Sequence, residues 1–151
     1  MLVRVFYAHS SATDPQELRE QAGKLLDTLQ ARFKARGVSP DLQVVLGRED
    51  HRRHWCGNWD AWQDSIISRQ DFMTGQPVYS LFIVPDSICG RATAGIIRQA
   101  IAAQRSVMWW DGKDKLQKVH SIEMDDPDNW TSGFRVEIQP PNPQGSLNES
   151  A

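Results

Sequence analysis

Short β-rich apolar runs alternate along the chain with longer stretches in which apolar residues recur at every third or fourth position. The short runs predict strands, and the longer stretches predict amphipathic helices. The predicted strands are 2–7, 42–46, 79–84, 106–110, 119–124 and 134–138, and the predicted helices are 15–36, 58–68 and one that begins near Thr93.

The first helix carries the strongest local signals. Asp14 is a typical N-cap, Pro15 suits the first helical position, and Glu17 stands where a capping box places an acid. Gly37 is predicted to end the helix, because glycine readily adopts the left-handed conformation found after a helix C-terminus.

The alternation of strands and helices through Trp110 predicts one α/β domain over 1–139. We expect a three-layer Rossmannoid, flavodoxin-like fold, with a mostly parallel sheet and helices on both faces. Right-handed crossovers would bring the loops 8–13 and 86–93 to the carboxyl edge of the sheet, where such folds bind ligands. The polar, proline-rich tail 140–151 is predicted to be flexible.

Composition excludes some classes of function. The formal net charge is −2, which gives no overall basic field for nucleic acid. No run of 18 apolar residues exists, so we expect no membrane span. The N-terminal run is too short for a signal peptide, which favours a cytoplasmic location with Cys56 and Cys89 reduced.

The loop 86–93 is the main candidate for the ligand site. Asp86 offers a carboxylate, Gly90 backbone freedom, Arg91 a cation and Thr93 a hydroxyl group. The start of the helix would attract anions, or Asp86 would instead bind ribose hydroxyl groups. The alternative is an ordinary strand-to-helix loop in which Thr93 is the N-cap.

The first loop provides a second group of candidates. His9 would act as a base or hydrogen-bond a ligand, with Tyr7 at the rim and Ser10 beside it. A surface histidine that bonds to local backbone is the alternative.

The segment around 51–64 permits two further interpretations. His51, His54 and Cys56 resemble part of a zinc site that Cys89 and Asp60 would have to complete. The arginines and tryptophans of the same segment favour a solvated or partner-facing loop instead. We therefore predict neither a metal nor a cofactor. Asp60 and Asp64 share a helical face, and paired carboxylates can serve acid–base or glycosyl chemistry, with Asp60 as a ligand contact. A solvated helix face is the commoner reason for such a pair.

Trp55, Trp59 and Trp62 form a stripe at helical spacing in the same segment. Such a stripe is typical of a core or a subunit interface, and it could also stack on a base. The interface interpretation predicts a homodimer or a higher homo-oligomer.

Three stretches, at 5–10, 59–62 and 84–107, resemble the nucleoside 2-deoxyribosyltransferase-like family. The resemblance implies a flavodoxin-like fold that holds a nucleoside or nucleotide at the carboxyl edge, in a pocket that partner subunits commonly complete. It also implies a glutamate nucleophile on the helix after the third strand. In this chain that position falls at 95–97, which reads Gly-Ile-Ile, and no glutamate occurs from 63 to 111.

The missing glutamate leaves three hypotheses. The chain is a non-catalytic nucleoside- or nucleotide-binding module, or an enzyme that acts on an N-glycosidic bond with a substitute carboxylate, of which Asp86 is the first candidate. The third is a signalling or partner-binding protein. The strand that ends in the Ser-rich loop at 8–11 also resembles TIR domains, more loosely.

Overall fold

The computed structural model describes residues 2–9, 14–46, 78–129 and 132–138. The strands are β1 (Leu2–Tyr7), β2 (Asp41–Val45), β3 (Tyr79–Val84), β4 (Ile88–Cys89), β5 (Ser106–Trp110), β6 (Leu116–Met124) and β7 (Phe134–Ile138). The helices are α1 (Pro15–Ala35) and α2 (Arg91–Ala102).

Helix α1 forms as its sequence predicts. The Asp14 carboxylate accepts hydrogen bonds from the backbone N–H groups of Gln16 at 3.1 Å and Glu17 at 3.2 Å. Gly37 follows the helix with φ of +75°, a conformation that favours glycine. The apolar face buries Leu18, Leu25 and Leu29 against the sheet.

The sheet has the order β2-β1-β3-β5-β6-β7-β4. Strands β2, β1, β3 and β5 pair in parallel, whereas the pairings β5–β6, β6–β7 and β7–β4 are antiparallel. The prediction of a three-layer, mostly parallel Rossmannoid sheet with helices on both faces is therefore wrong. The sheet is mixed, and the described residues form two helices. The connection 111–115 is much shorter than the dozen or so residues of a parallel crossover, so β6 must reverse direction.

Strand β4 shows that the sheet also curls. In the strand order β4 stands four places from β3, about 19 Å in a flat sheet at ~4.8 Å per strand. Only residues 85–87 join the two strands, and they reach roughly 14 Å at most. The antiparallel half of the sheet, formed by β6, β7 and β4, must therefore bend back toward the end of β3. There the Val136 N–H donates to the Ser87 carbonyl at 2.8 Å.

Helix α2 packs against this antiparallel half of the sheet. Arg98 donates from Nε and Nη2 to the Ile122 carbonyl at 3.1 and 3.0 Å, and its guanidinium lies 5.0 Å from the centre of the Phe134 ring. Buried side chains of α2 share one apolar cluster with β6 and β7, whereas those of α1 share another with β1 and β3. The parallel half of the sheet, formed by β2, β1, β3 and β5, therefore lies between two separate apolar cores.

Most local predictions are confirmed, and three points need comment. Helix α2 begins at Arg91, with Gly90 rather than Thr93 as its N-cap. The two-residue strand β4 was not predicted. The predicted helix 58–68 and the tail 140–151 lie outside the described residues.

Neither described helix combines the length and apolar character needed to cross a lipid bilayer.

Candidate functional site

A cleft of about 610 Å³ lies at the carboxyl ends of the three parallel strands β1, β3 and β5. Tyr7, Pro85 and Trp110 stand at these ends and line it. The chain leaves β1 toward β2 on one side and later enters β3 on the other, so the strand order reverses between β1 and β3. Open α/β sheets bind ligands at such a switch point. We call this cleft the acidic cleft, because Asp14, Glu17, Asp86 and Asp111 line it.

Helix α1 forms one wall of the acidic cleft. Asp14, Glu17, Gln21 and Lys24 recur at intervals of three or four residues, so they follow one line along the helix. The line begins at the helix N-terminus, which the β1–α1 connection brings to the carboxyl edge. The wall therefore places two carboxylates at the edge and one ammonium group farther along the helix.

A chain of hydrogen bonds joins the floor of the cleft to this wall. The Tyr7 hydroxyl donates to Gln21 Oε1 at 2.7 Å, and Gln21 Nε2 donates to Glu17 Oε1 at 3.1 Å. Burial raises the pKa of Tyr7 above its ordinary value, and the negative charges of Asp86 and Glu17 raise it further. Tyr7 is therefore a neutral phenol that donates and fixes the orientation of the Gln21 amide.

His9 lies between the end of β1 and the end of β2. Its Nε2 bonds to the Leu46 carbonyl at 2.9 Å, and its ring centre is 6.1 Å from that of Tyr7. Because a carbonyl only accepts hydrogen bonds, Nε2 must carry a proton. In the neutral imidazole Nδ1 is then the acceptor nitrogen.

Asp86 is the chemically distinctive carboxylate of the acidic cleft. It is half-buried, and the loss of water around it raises its pKa, while the nearby His9 partly offsets this effect. Within the described part of the chain, no hydrogen bond reaches its carboxylate. A carboxyl group with these properties can bind a donor or transfer a proton.

The carboxylates of Asp14 and Asp111 serve the backbone. Asp14 caps α1, and Asp111 Oδ1 accepts from the N–H groups of Lys113 at 2.8 Å and Lys115 at 3.1 Å. The bond from the Lys113 N–H is the largest cause that lowers the pKa of Asp111. Both carboxylates contribute negative charge to the cleft, but their hydrogen bonds are needed to hold a helix end and a turn.

The far end of the cleft is held by contacts between α1 and the β5–β6 turn. Thr28 Oγ1 donates to the Lys113 carbonyl at 2.8 Å, and Arg32 donates to the Asp114 carbonyl. Trp110 is 1% exposed and packs edge-to-face with Tyr7, with 6.2 Å between the ring centres. Its Nε1 donates a hydrogen bond to the Lys113 carbonyl at 3.2 Å. The aromatic floor is therefore held by ring packing and by a hydrogen bond to the β5–β6 turn.

The structure brings together three of the predicted site residues, Tyr7, His9 and Asp86, in one cleft. The other described candidates, Gly90, Arg91 and Thr93, do not line it. The pairing of β4 with β7 draws this part of the loop away from the carboxyl edge. In the same loop Cys89 is a buried thiol whose pKa burial raises to about 11, so it is a poor nucleophile.

Several predictions concern residues outside the described ranges. These are Ser10, Asp60, Asp64, the tryptophan stripe at 55–62 and the candidate metal ligands His51, His54 and Cys56. Among the residues that are described, no group of three or more His, Cys, Asp or Glu is placed to hold a metal ion.

Sequence reasoning missed the α1 wall, namely Glu17, Gln21 and Lys24. A signal was present, because these polar residues follow the cap Asp14 at helical spacing beside the apolar stripe. In a strand–helix–strand unit the first turns of the helix lie near the carboxyl edge of the strand before it.

Comparison of the chain with family models, with curated proteins and with solved structures gave no match, so its function has to be inferred from this cleft.

Proposed function

We propose that the acidic cleft binds a neutral nucleoside, with Asp86 as the acceptor for hydroxyl groups of the sugar. The observation that carries this proposal is the state of Asp86 at the β1/β3 switch point, a half-buried carboxylate to which none of the described residues donates a hydrogen bond. A ribose hydroxyl would supply the missing donor through a charge-assisted bond. Acidic groups of nucleotide-binding α/β folds recognise ribose in this way.

Size and charge narrow the class of ligand. A volume of about 610 Å³ is within the usual range for small-molecule sites. The described lining residues of the cleft include four carboxyl groups and a single lysine or arginine, Lys24. The nearest helix N-terminus, which would otherwise attract phosphate, is already occupied by Asp14 and Glu17. These features favour a nucleoside over a nucleotide.

The family resemblance gives the same class of ligand. It rests on short sequence stretches, and the nucleoside 2-deoxyribosyltransferase-like assignment remains part of the proposal. The catalytic glutamate of that family has no counterpart at 95–97. We therefore propose binding as the primary function, with Tyr7 and His9 beside Asp86 as further ligand contacts.

A calorimetric series in ligand charge tests this function. The purified chain is titrated with adenosine, inosine, thymidine and deoxyadenosine, and then with the mono- and triphosphate of the nucleoside that binds best. We expect the nucleoside to bind at least about 10-fold more tightly than its triphosphate, a difference that increases at low salt. Equal or tighter binding of the triphosphate would contradict the proposal.

A second function, hydrolysis of the N-glycosidic bond, is favoured by the raised pKa of Asp86. A carboxyl group with a raised pKa holds its proton to a higher pH than an ordinary aspartic acid, and its protonated form can protonate a departing base. Water would add to the anomeric carbon as the C–N bond breaks. The base would leave with the proton from Asp86, and a proton from the water would restore the carboxyl group.

Chromatographic detection of free base separates the two functions. Hydrolysis predicts that nucleoside is converted to base and sugar and that Asp86→Asn abolishes this turnover. Saturable binding without base release, at high protein concentration over many hours, would leave the binding function alone. A cytoplasmic location and a homo-oligomeric state also remain predictions, which cell fractionation and analytical ultracentrifugation would check.

A further inference from the structure

A second cavity, of about 380 Å³, lies beside the carboxyl-terminal half of α1. We call it the arginine cavity, because Arg32 and Arg36 line it. Tyr79 and Ser106, the first residues of β3 and β5, show that it opens toward the amino ends of the parallel strands. It shares no lining residue with the acidic cleft among those described.

The interior of the arginine cavity is apolar. It is formed by Val3, Leu29, Phe33, Leu81, Met108 and Leu116. Val3, Leu29 and Leu81 belong to the buried core on the α1 side, and the other three are partly buried against it. The floor of the cavity is therefore apolar and part of the protein core. Such a floor would bind an aliphatic or aromatic ligand body by the hydrophobic effect.

The rim is polar and positively charged. Arg32 and Arg36 are four residues apart and thus lie on one face of α1. In the described part of the chain, neither guanidinium pairs with a carboxylate. The bond from Arg32 to the Asp114 carbonyl fixes its position and uses one of its five N–H groups.

A pair of hydroxyl groups completes the rim. The Tyr79 and Ser106 hydroxyl oxygens are 2.6 Å apart, and Tyr79 is 50% exposed although it lines an apolar cavity. Two guanidinium groups that pair with no carboxylate of the described residues, together with a hydroxyl pair above an apolar floor, match a ligand with an apolar body and one carboxylate.

We propose that the arginine cavity binds a small amphipathic carboxylic acid, a free molecule with a medium-length alkyl or an aryl body. The carboxylate lies against Arg32 and Arg36, and the apolar body lies on the floor below. The volume fits a small molecule better than a partner helix, which needs a longer groove. This site is independent of the acidic cleft and of any reaction there.

Titration of the full chain with octanoate, followed by calorimetry and ligand-observed NMR, tests the proposal. We expect saturable binding with a Kd of about 1 mM or tighter, and at least ~10-fold weaker binding of 1-octanol, which has the same length without the charge. Arg36→Ala should weaken octanoate about 10-fold, and Arg36→Glu more. Arg36 is exposed, so both variants should fold.

Lys34→Ala provides the matched control, because Lys34 is an exposed cation in the same helical turn that does not line the cavity. It should bind octanoate like the unmodified chain, and so should Asp86→Asn. Equal binding of octanoate and octanol, or equal losses in Lys34→Ala and Arg36→Ala, would overturn the proposal. A concentration-dependent dimer that Arg36→Glu dissociates, with no octanoate binding, would instead assign the face to a second copy of the chain.

Discussion

The two cavities along helix α1 differ in charge, although one helix lines both. The acidic cleft receives Asp14 and Glu17 from the N-terminal end of the helix, and the arginine cavity receives Arg32 and Arg36 from the C-terminal end. Acids near the N-terminus and bases near the C-terminus both stabilise a helix through its dipole. A rule of helix stability thereby gives opposite charges to the two edges of the parallel sheet.

The cavities also differ in how their charged groups are bonded. In the acidic cleft Asp14 and Asp111 accept backbone hydrogen bonds, and Glu17 accepts one from Gln21, which leaves Asp86 as the unusual group. In the arginine cavity both guanidinium groups are without a carboxylate partner in the described residues. Charge alone therefore does not identify a site, and the bonding of each charged group has to be considered.

The largest effect is expected from Leu25→Ala, because Leu25 is fully buried and fixes α1 between the two cavities. We expect a loss of about 2–5 kcal/mol in the free energy of unfolding, from lost burial and the space left behind. Chemical denaturation measures it. Leu26→Ala, at a partly exposed position of the same helix, should cost clearly less. Equal losses would show that α1 does not pack as described.

Gly133→Ala should separate the two cavities in function. Gly133 has φ of +98°, and a Cβ atom there would lie 2.8 Å from Ile88 Cγ2 and 3.3 Å from the Cys89 carbonyl oxygen. We expect the free energy of unfolding to fall by about 1–3 kcal/mol. A shift of β4 would disturb the nearby Asp86, so nucleoside binding should weaken while octanoate binding is retained.

Gly90→Ala is the control for that variant. Gly90 has φ of −77°, and an added Cβ would meet no atom within 4 Å. The substitution should change the free energy of unfolding by no more than an ordinary surface substitution does, about ±0.5 kcal/mol. A loss as large as that of Gly133→Ala would mean that the β4 region is sensitive to any substitution rather than to this close approach.

A smaller effect, of opposite sign for two aspartates, is expected in the pH dependence of stability. The pKa of Asp86 is raised, so the folded state holds its proton more tightly and stability falls as pH rises above about 4 through that raised pKa. Asp86→Asn removes this loss. At neutral pH the variant should be more stable than the unmodified chain, and the difference should vanish below pH ~4.

Asp111 should behave in the opposite way, because its pKa is lowered by backbone N–H groups. The stability it provides is present at neutral pH and is lost as pH falls through the lowered pKa. Asp111→Asn should therefore destabilise the chain at pH 7, with the difference disappearing in acid. Thermal unfolding from pH 2 to 8 measures both variants, and slopes of the same sign would contradict the assignment of these carboxylates.

The sequence predicts the parallel half well because its signals are local. The N-cap Asp14, the Gly37 stop and the β-rich runs at 2–7 and 79–84 need no knowledge of distant residues, and the structure agrees with each. The antiparallel half depends on contacts far apart in the chain. The pairing of β4 with β7 has no local signal, although the short connection at 111–115 already requires β5 and β6 to be antiparallel.

The same distinction applies to the acidic cleft. Tyr7, His9 and Asp86 follow from the rule that ligands bind at the carboxyl ends of parallel strands, so they could be predicted from sequence. Arg91 and Thr93 were expected beside them but do not line the cleft, because the β4–β7 pairing that draws this part of the loop away is not local. Glu17 and Gln21 were missed because polar residues beside an apolar stripe are typical of a solvated helix face.

The most direct test of the central claim is the titration of one nucleoside into three proteins, namely the unmodified chain, Asp86→Ala and Arg36→Ala. Adenosine is the first choice, and calorimetry gives its Kd in each case. We predict saturable binding to the unmodified chain, an affinity at least about 10-fold lower in Asp86→Ala, and no change in Arg36→Ala. Absence of binding by every nucleoside tested, or equal binding by the Asp86→Ala protein, would contradict the assignment of the acidic cleft.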